Sequence, residues 1–347
     1  MNPIQTRLLD YQAEGDRALR TAAGLLRAGG LVAFPTETVY GLGALGLNPH
    51  SVRRIFEAKE RPEADPLILH VALPEWARLL AGEIPHAFER LAAAFWPGPL
   101  TLVLPKNRDV PDLVTAGLDS VAVRMPSHPV ALRLLREVGE PLAAPSANLF
   151  GHTSPTTAAH VLADLNGRIN AVLDAGPTDV GVESTVVDVR GDTPVLLRPG
   201  GISREELERV LGRPVELHRG GEVELRSPGL LARHYSPRAE LRLFAGDDDS
   251  AVLAAIQRDL AGEASPDQAV LAYQEDVPVF QSLPVRVIEL PSRTEPERVA
   301  QRLYAALREA DEAGARLLYA RLLPPGGLAE AVNDRLLRAA SGVLRTV

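Results

Sequence analysis

The chain has 347 residues, 46% hydrophobic and 24% charged, an ordinary globular composition that excludes the apolar-poor signature of a disordered chain. Its formal charge of −8 disfavours tight nonspecific binding of DNA or RNA, and the lack of cysteine excludes disulfides, thiolate nucleophiles, iron–sulfur clusters and Cys-ligated zinc. The length exceeds a single core of about 250–300 residues, and no run approaches the roughly 18 apolar residues of a membrane span, so a two-domain, cytoplasmic, non-membrane protein is expected.

From Asp16 to Gly29, the positions Leu19, Ala22, Ala23 and Leu26 keep helical spacing, and Gly29-Gly30 ends that helix before the apolar strand "LVAF". "PTETVYGLG" comes next, and such a run is either a decorated turn or the floor of a binding site. Gly41 to Gly46 match G-x-G-x-x-G. A dinucleotide fingerprint is nevertheless not expected, because "PTETVY" intervenes after the strand, Pro49 interrupts the next segment, and "LILHVA" ends without an acid. The apolar runs "LILHVA", "TLVLP", "VAVRMP", "PLAAPSA", "AVLDAG" and "STVVDV" alternate with helical stretches Ser51–Lys59, Trp76–Ala81, Ala87–Phe95, Pro129–Val138 and Thr157–Leu165. This predicts an α/β domain with a twisted sheet over residues 1–212, closed by helix Arg204–Leu211. Residues 213–238, rich in glycine and proline with little periodicity, read as a linker. Beyond it, strands and helices alternate regularly again, which predicts a smaller Rossmann-like α/β domain over residues 239–347 built on a parallel sheet.

The chemistry-bearing candidates lie in the first domain. No P-loop motif is present, so a phosphate would need another cradle. Lys59 and Arg61, two apart just past a helix, could aim together at one polyanion from an extended backbone, or simply end a solvated helix. Ser146 and Asn148 in "APSAN" close an apolar strand, where they are either phosphate donors at a sheet edge or a turn and capping cluster. His70 sits within a strand, where a satisfied core histidine is the commoner case. Arg124 in "SVAVRMP" must meet an anion, either an internal carboxylate or that of a substrate. Glu183, Ser184 and Thr185 head one strand and Arg198 ends another. Asp247-Asp248-Asp249 reads as a helix cap rather than a cation site.

In order and context, "PTETVYGLG", "KERPEADPLILHV", "FWPGPLTLVL", "VAVRMPSHP", "APSAN" and "GVESTVVDV" resemble the YrdC-type threonylcarbamoyl-AMP synthase family. The "SPGLLARHYSP" linker and the added domain look like its longer, two-domain form. The resemblance implies a nucleotidyltransferase that makes L-threonylcarbamoyl-AMP and pyrophosphate from L-threonine, bicarbonate and ATP, with Mg2+ carried on the ATP. The product would pass to a separate tRNA threonylcarbamoyltransferase complex, with any direct tRNA contact weak. It further implies that Lys59, Arg61, Ser146 and Asn148 form the catalytic tetrad around the phosphates and bicarbonate. Asp65, Ser120, Ser154, Arg198 and Tyr235 would complete the ATP site. Thr38, His70, Arg124, Ala144 and Ser184 would hold threonine, Arg124 meeting its carboxylate. Thr36, Glu37 and Thr38 would floor the pocket, Gly41 and Gly43 would let the backbone turn beneath the ligand, and the "RHY" linker would act as a lid. Glu60, between the two basic residues, is expected to weaken their local field. A noncatalytic RNA-binding module and a carbamoyl-phosphate-dependent carbamoyl transferase are the alternatives.

Overall fold

A computed structural model describes residues 4–218, 235–262 and 267–347. The expected lid falls largely on residues 219–234 and lies outside the described residues. The chain forms two compact units, the first built from residues up to Phe150 and from Ser154 to Leu230, the second from Gly151–Thr153 and Leu231–Val347. The second unit thus takes in Tyr235 and three residues just after "APSAN", which sequence reading assigns elsewhere. The cause is local pairing: Ser236 N donates to Gly151 O at 2.9 Å, His152 bridges Ser236, and the Arg308 guanidinium donates to Thr153 O.

The strands of the first unit are β1 (Arg7–Asp10), β2 (Val32–Pro35), β3 (Tyr40–Leu45), β4 (Ile68–His70), β5 (Leu100–Pro105) and β6 (Ser120–Arg124). They continue with β7 (Leu142–Ala143), β8 (Ala171–Asp174), β9 (Thr185–Asp188), β10 (Val195–Arg198) and β11 (Glu216–Leu217). Among the described residues they form one mixed sheet in the order β1-β8-β2-β3-β7-β4-β6-β5-β9-β10-β11. Alternation along β6 separates its faces: Val121 and Val123 enter the main core with Leu100, Leu102 and Leu104, while Ser120, Ala122 and Arg124 point the other way.

The "PTETVYGLG" glycines do not make a turn. Gly41 and Gly43 lie inside β3, antiparallel to β2 and opposite Phe34 and Val32. A Cβ on Gly43 would stand 2.9 Å from the Phe34 ring, and one on Gly41 would stand 3.3 Å from Ala144 Cβ. These glycines admit neighbouring side chains. Pro49 opens a helix, Pro49–Lys59, at its first turn beneath an Asn48 cap. The G-x-G-x-x-G match still fails as a fingerprint, because its first two glycines, Gly41 and Gly43, lie inside an antiparallel hairpin strand rather than opening a helix.

The second unit has β12 (Glu240–Ala245), β13 (Gln268–Tyr273), β14 (Arg286–Leu290), β15 (Leu317–Arg321) and β16 (Leu344–Thr346), in the order β14-β13-β15-β12-β16 with every pair parallel. Helices Asp249–Gly262, Pro296–Glu312 and Ala329–Ala339 connect them. Asp248 caps the first of these through the amides of Ser250 and Ala251. At the carboxyl edge, Arg321 bonds both Asp276 oxygens at 2.7 Å and Asp249 at 2.6 Å, and Arg293 also pairs with Asp249. A cavity of about 700 Å³ opens there, but both its arginines already face carboxylates.

Candidate active site

Sheet register gathers side chains that are far apart in sequence. His70 pairs with Arg124 across β4 and β6, Arg124 with Thr101 across β6 and β5, Thr101 with Val186 across β5 and β9, and Val186 with Arg198 across β9 and β10. Directly paired residues share a face, so one row carries His70, Arg124, Thr101 and Arg198. Ser184, just before β9, closes onto this row: its Oγ lies 2.7 Å from Thr101 Oγ1, and Arg198 donates to its carbonyl and hydroxyl at 3.0 and 3.2 Å. Val186, the row's link between Thr101 and Arg198, also joins a small apolar patch with Ile68, Val103, Ala122 and Leu197. Ser120 is at the far end of β6, about 13 Å along the strand from Arg124. Thr101, absent from the sequence-based site, carries the same signal as His70 and Arg124, a polar residue in an otherwise apolar strand.

The second cluster forms where helix Pro49–Lys59 ends. Lys59 is 1% exposed, and its Nζ donates to Ser146 O at 2.6 Å and to Asn148 O at 2.5 Å. The amide of Phe150 returns to Lys59 O at 2.9 Å, so the helix end and the "APSAN" loop are laced together. Burial, and then Arg61 beside it, hold the Lys59 ammonium well below the ordinary lysine range, with Asp164 and Asp65 pulling partly back. Arg61 is fixed by Asp65 O at 3.2 Å, Pro66 O at 2.8 Å and a buried ion pair to Asp65 Oδ2 at 2.9 Å. Burial pushes Asp65 up, opposed by Arg61, Lys59 and Arg198.

Two expectations about this cluster change. The chain from Lys59 to Arg61 is not extended: Glu60 caps the helix in the left-handed conformation, φ 54°, and this bend turns Arg61 inward. Nor does Glu60 stand between the basic groups, for its carboxylate pairs at the surface with Arg168 at 2.7 Å.

Thr38 lies in a turn where Thr36 Oγ1 meets Thr38 Oγ1 at 2.9 Å and donates to Val39 O at 2.6 Å. Ala144 continues β7, its amide on Ile68 O at 3.0 Å. Ser154 Oγ donates to Glu183 Oε1 at 2.5 Å. The structure meets the Arg124 requirement with an internal carboxylate, since Arg124 Nη2 donates to Glu37 Oε1 at 2.7 Å. Tyr235 belongs to the second unit, where it stacks on Tyr304 with Arg335 5.0 Å from its ring centre.

His70 yields a test of this burial. Burial first, then Arg124, push its imidazole from 6.5 down to about 3. Below pH 6.5 the unfolded chain takes up a proton that the folded one refuses. The stability is therefore complete above 6.5 and drains away towards pH 3, at about 1.4 kcal/mol per pH unit. His70→Gln should flatten the pH dependence of unfolding free energy by that slope between pH 6 and pH 4. Parallel curves for the two proteins would refute a buried neutral imidazole.

Fold and site together define an α/β protein whose first unit concentrates buried lysine, arginine and hydroxyl groups along one sheet face and one helix end. The Sua5/YciO/YrdC family profile, described as telomere recombination, matches residues 24–200, and a threonylcarbamoyl-AMP synthase C-terminal domain profile matches residues 202–341. A threonylcarbamoyl-AMP synthase of Pyrococcus abyssi is 44% identical, covering 93% of this chain and 94% of its own. One of Bacillus subtilis is 44% identical, covering 96% of each. The crystal structure of P. abyssi Sua5 complexed with L-threonine superposes with a TM-score of 0.91 at 42% identity, covering 99% of both chains. The chain belongs to the Sua5/YciO/YrdC family, in its two-domain threonylcarbamoyl-AMP synthase form.

Proposed function

We infer that the protein is a threonylcarbamoyl-AMP synthase, a nucleotidyltransferase that condenses L-threonine, bicarbonate and ATP to L-threonylcarbamoyl-AMP and pyrophosphate, for threonylcarbamoyladenosine modification of tRNA. The observation that carries this reading is the Lys59–Arg61 cluster laced to the 146–148 loop, beside a register row that supplies Arg124 and Arg198. Two of the three Lys59 N–H groups hold carbonyls, and the third is available to a phosphate or bicarbonate oxygen. The same burial that disfavours the free ammonium strengthens its attraction to an incoming polyanion. Arg124 keeps an unpartnered Nε, suited to the threonine carboxylate.

Threonine's neutral amine adds to bicarbonate with loss of water, or to CO₂ with loss of a proton, to give a carbamate, whose oxygen attacks the α-phosphorus while pyrophosphate leaves. The protein contributes proximity and charge stabilisation, with no covalent nucleophile. No group of three or more His, Asp or Glu able to hold a metal occurs among the described residues, and Asp65 is engaged by Arg61. That donor set fits Mg2+ carried on nucleotide phosphates and water rather than in a protein cage. A cytoplasmic location is part of the same reading. No helix among the described residues is long and apolar enough to cross a membrane. The product would pass to a separate tRNA threonylcarbamoyltransferase complex, and the net charge of −8 keeps any direct tRNA contact weak.

The purified protein with ATP, magnesium and labelled amino acids should release pyrophosphate only when threonine and bicarbonate are both present, with a threonylcarbamoyl adenylate detected by mass. Folded protein that released none, or released it regardless of threonine, would remove this reading.

A further inference from the structure

We propose that Glu37 is a positioning residue that sets the threonine-carboxylate clamp by holding Arg124; the inference rests on the synthase reading. Glu37 is 5% exposed, and both of its oxygens are committed: Oε1 accepts from Arg124 Nη2 at 2.7 Å and Oε2 from the Ser127 amide at 3.0 Å. One carboxylate therefore fixes the guanidinium that ends β6 and also the backbone three residues beyond it. Its own main chain is held as firmly, because Val180 N donates to Glu37 O at 2.8 Å and Gly181 N to Thr38 O at 3.2 Å. This ties the Glu37 segment to the chain that leads into Glu183 and Ser184.

An arginine side chain has several rotatable bonds, and without Glu37 the Arg124 head would sample orientations that a substrate carboxylate must then select. With one Nη on Glu37, the buried Nε is left without a partner, which gives the clamp a direction. The pairing also sets the charge of the pocket. Arg124 and Glu37 sum to zero and neighbouring His70 is held neutral, so this pair offers threonine's carboxylate a directed hydrogen-bond donor without surplus positive charge, and an amino acid with a second carboxylate gains no further attraction from it. Position and charge thus come from a single side chain that need not touch the substrate.

The test is steady-state kinetics of the full-length protein with Glu37→Gln, which keeps the shape but places an amide where two donors converge. Glu37→Asp retains the buried negative charge and so guards against simple misfolding. The expected result for both is a threonine KM raised at least about tenfold with the ATP KM little changed, the signature of lost ground-state positioning at one substrate. Glu37→Gln should in addition narrow the preference for threonine over aspartate, whereas Glu37→Asp should not. A threonine KM within about threefold of wild type in both variants, or threonine and ATP KM rising together, would overturn the inference. Wild-type protein assayed alongside separates the two failures. Wild type without threonine-dependent turnover removes the synthase reading and this inference with it, while an active wild type matched by both variants removes this inference alone.

Discussion

Lys59→Met should lower threonine-dependent pyrophosphate release by about two to three orders of magnitude, the scale seen when one fixed electrostatic donor is removed from a reacting site. Methionine matches the length and flexibility of the lysine stem and brings no charge. The stability change should be far smaller than the loss of turnover, because two effects oppose each other. Ser146 O and Asn148 O lose their shared donor, each at about 1–3 kcal/mol if left dry. Against this, the variant no longer buries an ammonium whose charged form the site already disfavours. Rates and chemical unfolding measured on the same preparation decide the matter. A folded variant retaining more than about a tenth of wild-type turnover would mean that Lys59 only ties the helix end to the loop.

Much of this arrangement is legible in the sequence, for a physical reason. A polar residue inside an apolar strand is conspicuous, and His70, Arg124 and Arg198 each stand out singly along the chain. In "SVAVR" even the face is legible, since period-two alternation places Ser120, Ala122 and Arg124 together. What alternation cannot provide is register across strands that are distant in the chain. The row from His70 through Thr101 to Arg198 therefore emerges only from the sheet order, and Thr101 gains its place from partners on β6 and β9. The Glu60 bend is hidden for another reason: a left-handed cap is normally signalled by glycine, and a glutamate there gives no local hint. Likewise, nothing in "FGHTSP" announces that Gly151–Thr153 group with the second unit, because the pairing residue, Ser236, is remote in sequence.

Gly200 is equally silent in the sequence, and replacing it should have the largest effect on stability. An alanine Cβ there would stand 2.2 Å from Thr185 N, 2.4 Å from Ser184 C and 2.5 Å from Glu183 O. All three are backbone atoms, so no side chain can swing aside. That backbone is pinned in turn by Thr185 N on Pro99 O at 2.9 Å and by the mutual bonds of Thr185 Oγ1 with Ile202 N and O. Gly200→Ala should therefore destabilise the protein by more than about 3 kcal/mol, beyond the usual range for overpacking. It should also depress turnover, because Glu183 to Thr185 include the Ser184 carbonyl that orients Arg198. Gly201 supplies the internal control. Its added Cβ would meet the Pro99 ring at 2.9 Å and Val180 Cγ1 at 3.5 Å, one stiff ring contact in place of three closer backbone atoms, so Gly201→Ala should cost less, about 1–3 kcal/mol. Denaturant unfolding of the two variants distinguishes the cases. Equal losses would mean that the Pro199–Gly201 segment moves freely as a body, and that the close backbone approach at Gly200 does not set the position of Ser184.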